Sequence, residues 1–179
     1  ILDLANSNFS ITTLNSTGIL RLTGEQTGNH SITNNGATRG IIEYYDGTGA
    51  GTVFNDIVSA APNYYHLRIN GSARTFTANG NIETAGDVIL DGGVLALGAT
   101  TMTVVGHWLN AVGSAALSSG SGTVRFVPNA GRFPTSPRVI RVMGDNDWWI
   151  FWCHDLALGT QTTIRFENAK IQRIRSGGI

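Results

Sequence analysis

One phrase is written four times in this chain: GILRLTG at residues 18–24, GIIEYYDG at 40–47, GVLALG at 93–98 and GTVRF at 122–126. A glycine leads, an aliphatic or β-branched pair follows, then one variable residue and a large apolar one. Glycine opens the backbone conformations that turns need, and the alternation after it describes a half-buried strand. A chain that keeps repeating turn and strand builds many short strands.

The alternation continues between the phrases. Leu67-Arg68-Ile69, Val88-Ile89-Leu90, Met102-Thr103-Val104, Val139-Ile140-Arg141-Val142 and Ile164-Arg165-Phe166 are short, rich in β-formers and bounded by Gly, Asn or Asp. Asn35-Gly36, Asp46-Gly47, Asn70-Gly71, Asn79-Gly80 and Asp91-Gly92 supply turn chemistry. Alternation, not apolar residues at i, i+3, i+4 and i+7, dominates the chain, so helices are not expected.

A β-solenoid coil needs about three strands and three turns, and one coil buries its interior only against the next. The first two phrase glycines, Gly18 and Gly40, are 22 residues apart; Gly93 and Gly122 follow at 53 and 29. The expected fold is all-β, a parallel β-solenoid with irregular rungs, with a β-sandwich as the alternative. On this reading the same corner and inward face recur on each circuit. A longer echo relates Asn63–Ile69 to Phe151–Leu156, with His66 and His154 in matching places. Residues 40–86 and 122–177 therefore read as two copies of a larger unit within one module spanning 1–179. The chain opens mid-pattern on ILDL and is read as part of something longer. An antiparallel hairpin is expected near 132–152.

Composition narrows the function classes. Hydrophobic residues make up 41 % and charged residues 13 % of the chain, so it should fold rather than stay disordered. No apolar run approaches the roughly 20 residues of a membrane helix. Cys153 is the one cysteine, so no internal disulfide forms, and no Cys/His spacing marks a metal site. No cofactor is implied. Charge is uneven: residues 1–60 carry two Arg against five acids, and residues 121–179 carry seven Arg and one Lys against four. The basic residues are interleaved with strand residues rather than massed, so a nucleic-acid partner is not expected. Complementary ends instead point to head-to-tail self-association.

Candidate chemistry is sparse. Trp148, Trp149, Phe151 and Trp152 form the densest aromatic cluster and are the candidate ligand or interface residues; the competing role is packing of the solenoid interior. Alternation along one strand would leave apolar residues on both of its faces. Asp145 and Asp147 would lie about 7 Å apart on an extended strand, within reach of paired-carboxylate chemistry, although Asp-Asn-Asp also reads as a turn. His66 and His154 read as strand-end polar residues, and His30 and His107 have no evident partner. GxSxG, HExxH and phosphate-loop motifs are absent. No catalytic residue is assigned.

The run GNIETAGDVILDGGVLALGATTMTVVGHW at residues 80–108, followed by SGSGTVRF at 119–126, resembles a repeat of large secreted and surface proteins of gram-negative bacteria. It is similar to filamentous-haemagglutinin-like and autotransporter-passenger β-helices, over about residues 6–175. The resemblance implies right-handed parallel β-helix geometry, export, and an extracellular or cell-surface location. It implies no catalytic residues. The expected function is that of a structural or adhesive segment, a stalk, filament or host-contact scaffold. The alternative is a carbohydrate-binding or carbohydrate-active β-helix protein. The stretch 132–152, rich in Arg, Pro and Trp, departs from the repeat.

Overall fold

The computed structural model describes residues 1–13, 18–28, 30–34, 40–55, 62–127, 138–148, 150–153, 162–167 and 172–174, with side chains in 1–10, 18–28, 40–55, 62–127, 139–146 and 163–167. In chain order the strands are β1 (Leu2–Asp3), β2 (Phe9–Thr13), β3 (Ile19–Leu22), β4 (His30–Asn34), β5 (Ile41–Tyr45) and β6 (Gly51–Val53). They continue as β7 (His66–Ala78), β8 (Ile82–Thr84), β9 (Val88–Ala96), β10 (Thr101–Val104), β11 (Trp108–Asn110) and β12 (Leu117–Ser118). The last six are β13 (Thr123–Phe126), β14 (Arg138–Met143), β15 (Asn146–Trp148), β16 (Ile150–Cys153), β17 (Thr162–Glu167) and β18 (Gln172–Ile174). One short 3-10 turn covers Ser114–Ala116.

Every described strand pairing is parallel, and partners lie about one coil apart in sequence. The fold is therefore a β-solenoid with irregular rungs, not a sandwich. One face stacks β1, β3, β5, β7, β9, β11, β14 and β17 in that order. Its inward column runs Leu2, Leu20, Ile42, Leu67, Val88, Trp108, Val142, Phe166. The intervals in that column are 18, 22, 25, 21, 20, 34 and 24 residues. A second face is made by β6, the distal half of β7, the distal half of β9, and β12, stacking Phe76 on Leu95 on Leu117. A third stacks β8, β10, β13 and β16, with Ile82, Met102, Val124 and Phe151 in one register column.

The strand period of two explains which residues fill the tube. In β3 the pattern is Leu20 and Leu22 buried, Ile19 and Arg21 partly exposed, and the same parity holds in β8, β10 and β13. From Leu20 to Val142 the inward column is almost wholly buried. Each such side chain is worth about 1.5–3 kcal/mol when removed from water, but only a neighbouring coil removes it. Parallel sheets elsewhere are covered on both faces and lose their alternation. Here the outer face meets solvent, so alternation survives in the sequence.

The four glycine phrases do not share one column. Gly18 and Gly40 do: they lead β3 and β5, which lie side by side. Gly93 sits instead within β9, where that strand turns from the first face to the second, and Gly122 leads β13 on the third face. The phrase encodes glycine followed by alternation, which every corner of a coil requires, so it cannot tell one corner from another. The hairpin expected near 132–152 is also corrected. Among its described residues, β14, β15 and β16 pair in parallel with β17, β18 and β13. A strand that returned on itself would break the coil, and Gly144 at φ 81 instead turns the chain onward. The long 34-residue interval follows from an insertion: Val124 still sits 22 residues after Met102, so the extra residues fall between β13 and β14. Three of the four prolines, Pro128, Pro134 and Pro137, stand in that stretch, outside the described residues.

The corner between the first and second faces carries the tightest constraint. Between Asn70 and Thr75, β7 has four residues where β9 has only Gly93. Gly93 is at φ 72, and a methyl group there would collide with the carbonyl oxygens of Gly71 and Arg74. Gly98 has a similar φ of 64 with nothing within 4 Å. Alanine at either position suffers the left-handed penalty of roughly 1–2 kcal/mol. Gly93→Ala should therefore lower the urea midpoint clearly more than Gly98→Ala, read by far-ultraviolet circular dichroism. Equal losses would mean that the corner relaxes and the close approach is unimportant.

Candidate functional site

The aromatic run does not occupy one strand. Trp148 ends β15, which pairs with β18, while Phe151 and Trp152 belong to β16 on the third face. The chain turns a corner inside the cluster, so its alternation cannot be read as two faces of one strand. Trp149 and the side chains of Trp148, Phe151 and Trp152 lie outside the described residues, as do His154 and the side chain of Asp147. By register Phe151 stacks at the position of Val124, and Trp152 at that of Arg125.

The start of β15 is fixed by a buried polar network. Trp108 Nε1 donates to Asn146 Oδ1 at 2.8 Å, and Asn110 Nδ2 donates to the same oxygen at 2.9 Å. Asn110 Nδ2 also reaches the carbonyls of Gly113 and Asp145, and its Oδ1 accepts the N–H groups of Val112 and Gly113. Asn146, fully buried, returns a bond to the Gly144 carbonyl. Asp145 therefore stands in a corner whose backbone is already committed. Replacing Asn146 with leucine leaves buried donors short of an acceptor, and should lower stability by about 1–3 kcal/mol in chemical denaturation. A neutral substitution would show that water or a shifted side chain restores the network.

The polar side chains at the corners mostly serve the backbone. His66 Nδ1 accepts the Asp87 N–H at 2.9 Å, Asp87 Oδ1 accepts the His107 N–H at 2.7 Å, and His107 Nδ1 accepts the Arg141 N–H at 3.1 Å. Each links one coil to the next. Because Nδ1 of His66 is an acceptor, its 3.5 Å approach to Asp87 Oδ2 is not an ion pair. A second ladder uses asparagine: Asn8, Asn63 and Asn81 each accept, through Oδ1, the N–H of the residue 20 positions later.

Charges pair in the same way. Arg21 meets Glu43 at 3.0 Å, Arg68 meets Asp91 at 2.6 Å and Arg141 meets Glu167 at 2.6 Å, each across neighbouring coils. Glu43 is fully buried, and its second oxygen accepts from Asn70 Nδ2 at 2.6 Å. Arg74, carried inward by the excursion of β7, donates to the carbonyls of Gly49, Thr23 and Tyr45 and to Glu25, and lies over the Phe76 ring. Among the described residues no three His, Cys, Asp or Glu side chains gather as a metal site.

Glu25 is held below the ordinary glutamate range, first by the Gly49 N–H, with the Thr48 N–H and the Arg74 charge adding to it against the opposing effect of burial. A depressed folded value means that this carboxylate stabilises the fold above its unfolded pKa. The contribution is lost as pH falls through the lower, folded value. The difference in melting temperature between the native chain and Glu25→Gln should hold near neutrality and shrink below about pH 4. A difference independent of pH would place the effect in shape rather than charge.

One surface differs from the corners. On the third face a groove of about 450 Å³ is lined by Asn55, Asn63, Asn81, Glu83, Thr103 and Arg125. Ile82 and Thr101 complete it. Glu83, Thr103 and Arg125 form one outward column, which continues by backbone register to Trp152. A smaller groove of about 380 Å³ lies at the corner of Asn110, Gly113 and Asp145. The residues of the larger groove were not singled out in the sequence analysis. The signal was present as intervals of 20 and 22 residues between Glu83, Thr103 and Arg125, the length of one coil. No protein-family model, curated protein or solved structure matches the chain.

Proposed function

We propose that this chain is a structural or adhesive segment of an exported bacterial surface protein, working as a stalk, filament or host-contact scaffold without catalysis. The observation that carries the reading is the use of the polar side chains. From Asn8 to Glu167 the corner amides, histidines and ion pairs tie coil to coil. A scaffold needs that lateral bonding, whereas an active site needs side chains held back from it. No helix among the described residues is long and apolar enough to cross a membrane. The resemblance of residues 80–126 to secreted repeat proteins supports the surface location.

Self-association is the partner this reading favours. The stack advances from an acidic first third to a basic last third, with two Arg against five acids in residues 1–60 and eight basic residues against four acids in 121–179. Copies laid end to end would bring opposite charges together, and contacts that do not close give filaments.

Antibodies raised against the chain should label intact producing cells, or find it in their medium. Labelling only after permeabilisation would remove the surface assignment. Light scattering of the purified chain should show a species that grows at low salt and shrinks at high salt. A particle of unchanged monomeric mass under both conditions would end the self-association reading.

A further inference from the structure

The third-face groove carries more than scaffolding requires. Several of its polar side chains are not spent between coils. The Asn55 amide, Asn81 Nδ2, the Glu83 carboxylate and the Thr101 and Thr103 hydroxyls make no hydrogen bond to any described residue. Asn81 spends only its oxygen, on the Thr101 N–H at 2.8 Å, which fixes the side chain and leaves its two N–H groups for a ligand. Asn63 is spent on both sides, to the Asn55 carbonyl and from the Glu83 N–H, and so ties Asn55 to Glu83. Donors and acceptors on a fixed sheet are preorganised, which reduces the ordering cost of binding.

We infer that this groove is a binding site for a neutral, hydroxyl-rich glycan segment lying across the rungs. The chemistry of the lining selects the class. Paired amides, hydroxyls and one carboxylate suit ligands that donate and accept at many points. Glu83 and Arg125 cancel in charge, which favours neither a polyanion nor a polycation. Neighbouring strands stand about 4.8 Å apart, so the three rungs from Glu83 to Arg125 span about 10 Å, room for an extended oligomer laid across them. The groove holds a single carboxylate among the described residues, where glycoside hydrolysis canonically uses a pair. What is inferred is therefore binding, with the ligand left uncut. The inference is independent of the surface assignment, since the groove would bind in any compartment.

The test is calorimetric titration of the purified chain with cellohexaose, mannohexaose and maltohexaose, with hexagalacturonate as the acidic control. At least one neutral hexasaccharide should bind and remain uncleaved. Glu83→Gln and Thr103→Val should each weaken it by about tenfold, the size of one to two lost hydrogen bonds. Both residues are partly exposed and bond to no described side chain, so the melting temperature should hold. Amide shifts in the nuclear magnetic resonance spectrum of the unsubstituted chain should centre on residues 81–83 and 101–103. The inference is overturned if none of the neutral sugars binds the folded chain, if hexagalacturonate binds more tightly than all of them, or if the shifts fall elsewhere.

Discussion

Each described strand finds its hydrogen-bond partners about one coil away, not within its own coil, and the rest of the structure depends on that displacement. The N–H and C=O groups point along the stack, so a single circuit has no closed ladder and no covered interior. Closure comes from the neighbours, which supply both at once: backbone partners for the edge and an apolar layer for the inside. The register Leu20, Ile42, Leu67, Val88, Trp108, Val142 records this, since each residue is buried by the ones before and after it.

Variation is tolerated where this rule does not reach. Coil length changes from 18 to 34 residues along the inward column while the stacking of faces is kept. In the 25-residue coil a small interior network links Tyr44, Phe54 and Tyr64. Tyr64 donates to the Phe54 carbonyl, so the proton between the two hydroxyls belongs to Tyr44, which also accepts the Phe54 N–H.

The fold was legible in the sequence because its strands keep their alternation on an exposed outer face. Gly18-Ile19-Leu20-Arg21-Leu22 and Gly40-Ile41-Ile42-Glu43-Tyr44 lie in register as the sequence suggested. The corners were less legible. Gly93 and Gly122 carry the same phrase on other faces, since glycine marks a turn without saying which turn. The candidate site was hardest to read. Trp148 and Trp152 are close in sequence, yet a corner separates their strands, while Glu83, Thr103 and Arg125 are far apart and adjacent in space. In a coil, neighbourhood is set by the residue one circuit away, and local clustering is a poor guide to it.

The direction of the backbone bonds has a mechanical consequence. They lie along the long axis, so tension on that axis loads one coil boundary at a time and peels it, where a sheet pulled along its strands would resist in shear. A detached coil of about 20 residues extends to about 70 Å at full stretch, in place of a rise of about 4.8 Å. Built this way, a rod yields under load in long, successive steps and dissipates a pull that would snap a stiffer tether.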